Sequence, residues 1–268
     1  NSDPGRVAAR AYGSQGENLM IDIPRIFTIS ESEHRIHNPF TPEKYATLGR
    51  ALRMAPGTTI LDLGSGSGEM LCSWARDHQI VGTGVDMSLL FSQQAAARAE
   101  ELGVSDRVTF VHQDASGYVA SQPCDVAACV GATWIGGGVA GTIELLKQSL
   151  TPGGMLLIGE PWWRKRPATA EEAIACGAQS PDDFLTLPAL VAHFGELGYD
   201  VVEMVLADQE GWDRYEAAKW LTMRRWLEAN LHDDFAPEVR QQLTTAPLHH
   251  VTWTREYLGW GVFVLMAR

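Results

Sequence analysis

A chain of 268 residues with 45% hydrophobic residues is long enough to bury one large core and needs no second domain to do so. Its 33 Asp and Glu against 21 Lys and Arg leave a net charge of −12, which repels a phosphate backbone and argues against a nucleic-acid partner. The four cysteines, Cys72, Cys124, Cys129 and Cys176, form no ligand-spaced pair, and the first residues hold no apolar run of secretory type. Buried reduced thiols, no metal and a cytoplasmic protein are therefore expected.

The first regular element is residues 41–54, TPEKYATLGRALRM, a helix opened by Thr41 with Pro42 in its first turn. Apolar runs of strand length follow at 58–64, 80–86, 107–114, 125–131, 154–160 and 200–207. Between them lie helical patterns at 67–78, 88–103, 141–150 and 182–198. The charge-free stretch Val126 to Ile143 has the length of a short membrane span, but its five glycines, three of them consecutive, argue for a buried strand and a loop. Residues 211–231 read as a long helix and 256–268 as a closing strand.

Continuous apolar strands alternating with helices imply an α/β fold: a doubly wound, mostly parallel seven-stranded sheet with helices on both faces. Residues 1–40 and 207–255 fall outside that rhythm. They are expected to form a helical cover within a single domain spanning 1–268, since ligands of open α/β sheets sit beyond the carboxyl ends of the strands.

The stretch TILDLGSGSGE (59–69) runs a strand into Gly64, Gly66 and Gly68. Such a strand-to-helix turn lets a ligand approach the backbone and the open N–H groups of the next helix. The dinucleotide pattern G-x-G-x-x-G would need glycine where Glu69 stands, and an acid there repels a pyrophosphate. A nucleoside with a cationic or zwitterionic tail fits better.

At this point the chain resembles the Rossmann-like class I S-adenosylmethionine-dependent methyltransferases, over about residues 40–206 and the final strand. LDLGSGSGE stands at that family's first motif, VDMS (85–88) follows the second strand, HQDA (112–115) the third, and LTPGGMLLI (150–158) leads into the fifth. The chain is also similar to bacterial small-molecule methyltransferases, among them N-methyltransferases of the nodulation type. The resemblance implies S-adenosyl-L-methionine as cofactor and a small-molecule acceptor, with no nucleic-acid or membrane partner.

It also implies roles. Asp62 with the turn Gly64, Ser65, Gly66 and Gly68 would hold the methionine portion, and Asp86 the ribose hydroxyls. Met87, Asp114 and Ala115 would hold the adenine, while Gly131 and Ala132 would border the sulfonium. Methyl transfer from a sulfonium needs alignment more than side-chain chemistry, and a base only where the acceptor atom carries a proton. Glu160, His37 and His34 are the candidates for that base. Trp134, Trp162, Trp163 and Trp212 fall near strand ends and are candidates to line an acceptor pocket, where aromatic faces and a carboxylate suit an amine. N-methylation is the leaning, with O- or C-methylation, or cofactor binding without catalysis, as alternatives.

Overall fold

The computed structural model describes residues 23–268. Its elements are α1 (Arg25–Glu31), α2 (Pro42–Ala51), β1 (Thr59–Leu63), α3 (Glu69–His78), β2 (Val81–Asp86), α4 (Leu89–Glu101), β3 (Val108–His112) and β4 (Cys124–Val130). A short 3-10 turn, Thr133–Gly136, leads to α5 (Val139–Lys147), β5 (Leu150–Trp163), α6 (Ala170–Ala175), α7 (Leu187–Glu196) and β6 (Tyr199–Leu206). The chain closes with α8 (Gln209–Ala229), α9 (Ala236–His249), α10 (Arg255–Tyr257) and β7 (Leu258–Ala267).

The seven strands form one sheet in the order β3-β2-β1-β4-β5-β7-β6. All pairings are parallel except those of β7, which runs antiparallel between β5 and β6. The expected fold class is the observed one. Strand order reverses between β1 and β4, so their carboxyl ends part into a crevice there.

Alternation along the strands builds two cores. On one face Ile60, Val126, Ala128, Leu157, Val262 and Val264 pack against Leu71 and Trp74 of α3 and Leu48 of α2. On the other, Leu61, Leu63, Ala127, Cys129, Leu156, Ile158 and Phe263 meet Ile143 and Leu146 of α5 and Leu190 and Phe194 of α7. All four cysteines are buried and free. A third, smaller cluster of Ile29, Met223, Leu227 and Val239 joins α1 to α8 and α9.

Some boundaries fall as expected and others move. The Thr41 side chain accepts from the Lys44 N–H and starts α2 with Pro42 in its first turn. The helix expected from 182 begins only at Leu187, after Thr186 and with a proline in its first turn. β5 runs on from the expected 154–160 to 150–163, taking in both tryptophans. The short helices α1 and α6, and α9, carried no periodic signal strong enough to be anticipated. Among the described residues no helix is long and apolar enough to cross a membrane; Val126 to Ile143 divides into the end of β4, the 3-10 turn and the start of α5.

The glycine run at 136–138 ends in a tight seat. A Cβ on Gly141, in the first turn of α5, would overlap the Gly136 carbonyl oxygen, so the 3-10 turn can lie directly on the helix only while Gly141 is bare. Gly141→Ala should cost about 1–3 kcal/mol by overpacking and lower Tm by several degrees, measured by calorimetric melting.

Candidate active site

β1 delivers Asp62 and the glycine turn to the crevice. Gly64, Gly66 and Gly68 all have positive φ, at 78°, 53° and 72°. Each is also pressed by this chain's own side chains. A Cβ on Gly64 would lie 2.7 Å from the Ala132 Cβ, one on Gly66 2.6 Å from His37 Cδ2, and one on Gly68 2.6 Å from Phe110 Cζ. Packing as well as ligand approach therefore excludes side chains here.

The turn is tied to β2. The Gly64 and Ser65 N–H groups donate to the Val85 carbonyl, at 2.8 and 3.1 Å. Asp86 accepts from the Gly66 N–H and the Ser88 N–H, both at 2.8 Å. Burial raises the Asp86 pKa, partly offset by these two bonds.

Two adjoining cavities lie over the turn. The larger, about 130 Å³, is lined by Gly64, Gly66, Asp86, Met87, Asp114, Ala115, Gly131 and Ala132, with Trp134 and Ile135 from the 3-10 turn, Phe27 and His37 from the segment before α2, and Phe91 from α4. The smaller, about 30 Å³, takes in Asp62, Ser65, Tyr45, Asn38 and Arg35, and shares Gly64, Gly66 and His37. Of the proposed cofactor residues, only Gly68 lines neither; it precedes α3 under Phe110 and Ala95.

Asp62 is the electrostatic exception. It is 3% exposed, and its Oδ1 atom has no hydrogen-bond partner among the described residues. Burial, with the nearby Asp86 charge, pushes its pKa up to about 7.

The histidines are committed elsewhere. His37 Nδ1 faces Glu31 Oε2 at 3.0 Å and its Nε2 faces the Ser67 hydroxyl at 2.7 Å. This has the connectivity of a Ser–His–acid relay, but Gln94 also holds the serine. The Gln94 amide donates to the Ser32 carbonyl at 2.7 Å, which turns its Oε1 toward Ser67, and the hydroxyl donates to that oxygen, also at 2.7 Å. Both ring nitrogens are thus taken up by protein partners, and neither is presented to the cleft. His37 also stacks on Phe91 at 3.9 Å. His34 Nε2 donates to the Tyr215 carbonyl at 3.0 Å, and its Nδ1 is buried beside Glu31. The expectation that either serves as general base is corrected: both fasten the 31–38 segment to α8 and to the glycine turn.

Glu31, the hub, is fully buried and accepts from Tyr215 Oη at 2.6 Å, with Lys219 Nζ 3.3 Å away. Burial alone would raise its pKa, but Lys219 and the two histidines outweigh burial and hold it down at about 2.

Glu160 also departs from expectation. It is 7% exposed, accepts from the Thr133 hydroxyl at 2.6 Å, and lines neither cavity, lying one layer behind the 132–134 turn. Burial pushes its pKa up to about 7 despite the Thr133 bond.

Of the four tryptophans only Trp134 reaches the cleft, half exposed at its rim. Trp163 is 1% exposed and donates to the Pro181 carbonyl, Trp212 is packed in the core beside Tyr215, and Trp162 lies flat against Gly259. These three fill structure rather than line a pocket, because β5 extends through 162–163 and α8 begins before 212. The aromatic that does stand near the β4 end is Trp260, whose ring lies 3.6 Å from where a Gly131 Cβ would be. It sits in an apolar terminal strand and gave no signal distinct from core, nor did Phe27, Phe91 or Asn38.

A family model described as a methyltransferase domain matches residues 60–154. The chain is 75% identical over 248 residues to the uncharacterized protein YjhP of Escherichia coli (strain K12), covering 92% of this chain and 100% of that one. It is 72% identical to a SAM-dependent methyltransferase from Geobacter sulfurreducens solved in complex with S-adenosyl-L-homocysteine, with a TM-score of 0.92 over 93% of this chain and 100% of that one. A second SAM-dependent methyltransferase complex of this kind, from Thiobacillus denitrificans, is 68% identical with a TM-score of 0.90 over 92% and 100%.

Asp62 should mark the pH dependence of stability. Its folded pKa lies above its unfolded value, so its favourable contribution is complete below about pH 4 and is lost as pH rises through 7. Ligand-free Asp62→Asn should melt a few degrees above the unchanged protein at pH 8, with the difference vanishing near pH 4.

Proposed function

The chain belongs to the S-adenosylmethionine-dependent methyltransferases, and on that premise we propose that it methylates a small-molecule amine by holding acceptor and methyl donor in line, without a general base. S-adenosyl-L-methionine supplies a methyl group on a sulfonium; the methyl passes to an acceptor lone pair as its bond to sulfur breaks and leaves the electron pair there. The residues present fit that cofactor. Asp62 keeps a buried carboxylate oxygen without a partner beside the turn, a seat for the α-ammonium of the methionine portion. Asp86 retains lone pairs for the ribose hydroxyls after its two backbone bonds, since each carboxylate oxygen accepts more than once. Asp114 and Ala115, with Met87, lie where the adenine would be held, and Gly131 with Ala132 borders the β4 end.

The amine reading rests on one observation: none of the three base candidates presents an accepting atom to the cleft. His37 has both nitrogens on Glu31 and Ser67, His34 is tied to Tyr215, and Glu160 lies behind Thr133. The carboxylates that do line the cleft are those suited to the cofactor, and Glu69, which is paired with Arg98. An acceptor whose lone pair is already available, such as a neutral amine, needs only alignment, which can supply the larger part of such an acceleration. An O- or C-acceptor is favoured by the one fact that Glu160 has a pKa of about 7, poised for proton transfer if the 132–134 turn shifts. The described part of the cover, residues 23–40, places Phe27 and His37 against the cleft; residues 1–22 of the expected cover lie outside the described residues.

Titration calorimetry with S-adenosylhomocysteine should give one site per chain. Because the ammonium binds only the ionised Asp62, affinity should fall as pH drops below about 7, approaching tenfold per unit, with proton release on binding. Asp62→Asn should weaken binding tenfold or more and flatten that pH dependence; absence of binding by folded protein would sink the assignment. For transfer itself, Glu160→Gln should keep its rate at pH 8 within a few-fold, whereas a loss of about 10²–10⁴ would establish Glu160 as base and overturn the amine reading.

A further inference from the structure

A third cavity, of about 620 Å³, lies between the 33–42 segment and α8. It shares Arg35, Ile36 and Asn38 with the smaller cofactor-side cavity, so those three residues form the wall between the two. Asn38 stands at the junction. Its Cβ lies 4.0 Å from where a Gly131 Cβ would be, and its amide is pinned by a 3.0 Å bond to the Tyr45 hydroxyl.

α8 turns an unusual face to this groove. Its buried face carries Trp212, Met223 and Leu227, but Arg214, Ala217, Ala218 and Leu221 form a second stripe at i, i+3, i+4 and i+7. Leu221 is 52% exposed, and the two alanines leave the groove its width. Among the described residues Arg214 makes no ion pair or hydrogen bond. Arg35 has only two loose pairings, 3.8 Å from Glu69 and from Glu101. The acid of the groove, Glu33, is already paired with Arg225 at 3.4 Å. A chain of net charge −12 thus keeps two uncommitted or weakly committed guanidinium groups around one apolar trough.

We infer that this groove binds an apolar organic anion, and that this anion is the methyl acceptor. The inference rests on the methyltransferase reading and narrows its substrate class to an amine that also carries an apolar body and a carboxylate-like group. Guanidinium groups take such anions through paired charge-assisted hydrogen bonds, and the Ala217–Ala218–Leu221 stripe gives the apolar body a surface otherwise left in water. Asn38, which lines the groove and lies against Gly131, sets that seat next to the β4 end.

The test uses the full chain saturated with S-adenosylhomocysteine and three eight-carbon probes: octanoate, octanol and octylamine. Octanoate should bind at one saturable site by titration calorimetry, at least tenfold tighter than octanol or octylamine. Arg214→Gln and Leu221→Glu should each weaken octanoate tenfold or more while leaving S-adenosylhomocysteine affinity unchanged, which also shows that the variants fold. Equal binding of the three probes, octanoate affinity unmoved by both substitutions, or octanoate displaced by S-adenosylhomocysteine would each overturn the inference. Failure of S-adenosylhomocysteine itself to bind the unaltered chain would instead strike the methyltransferase site.

Discussion

The strand ends are governed by the cost of burying Asp62 and Asp86 with, among the described residues, no lysine or arginine paired to either. Removing a carboxylate from water without a paired cation is expensive, and the usual escape is to take up a proton. Asp86 is moderated by two backbone N–H donors, whereas Asp62 keeps an oxygen with no donor at all. Such a group is tolerated when the folded state spends part of its life with something bound against it. A cationic ammonium on one side and ribose hydroxyls on the other would supply the missing partners.

Glu31 shows the contrasting outcome under similar burial. A lysine, a tyrosine hydroxyl and two histidines converge on it, and it stays ionised far below neutrality. The difference separates roles: a buried carboxylate with every lone pair satisfied fastens segments together, and one left short waits for a ligand. Glu31 ties α1, the 31–38 loop and α8 into one body, and through His37 and Ser67 that body rests on the glycine turn. The histidines that look catalytic in sequence are spent on this fastening.

The sheet was legible because its signals are local, and so was the gathering of the cofactor candidates at one set of strand ends. Each candidate lies at or within a few residues of its strand's end, so strand periodicity plus a glycine or acid there brings it to the crevice. The acceptor side was poorly legible because its parts meet only through tertiary packing. Nothing near Trp162 or Trp163 in sequence shows that β5 continues through them, and nothing near Trp260 shows that its ring turns toward Gly131. His37 could be flagged as a titratable group near the cover, but its partners Glu31 and Ser67, and the Gln94 amide that orients Ser67, come together only in the fold. Even the glycine turn was read for half its reason, since its bare positions accommodate Ala132, His37 and Phe110 as much as a ligand.

Residues 35–38 are where these separate constructions meet. Arg35, Ile36 and Asn38 line both the smaller cofactor-side cavity and the α8 groove, and His37 lines both cofactor-side cavities. The segment is short and held at several points, by Glu31 and Ser67 through His37 and by Tyr45 through Asn38. A stretch so fixed moves as a unit, so were the proposed groove ligand to shift Arg35, the His37 ring packed on Gly66 would be displaced with it. Binding on the two sides would then be coupled by covalent proximity rather than by a long chain of contacts, and by linkage each ligand would alter the other's affinity to the same degree.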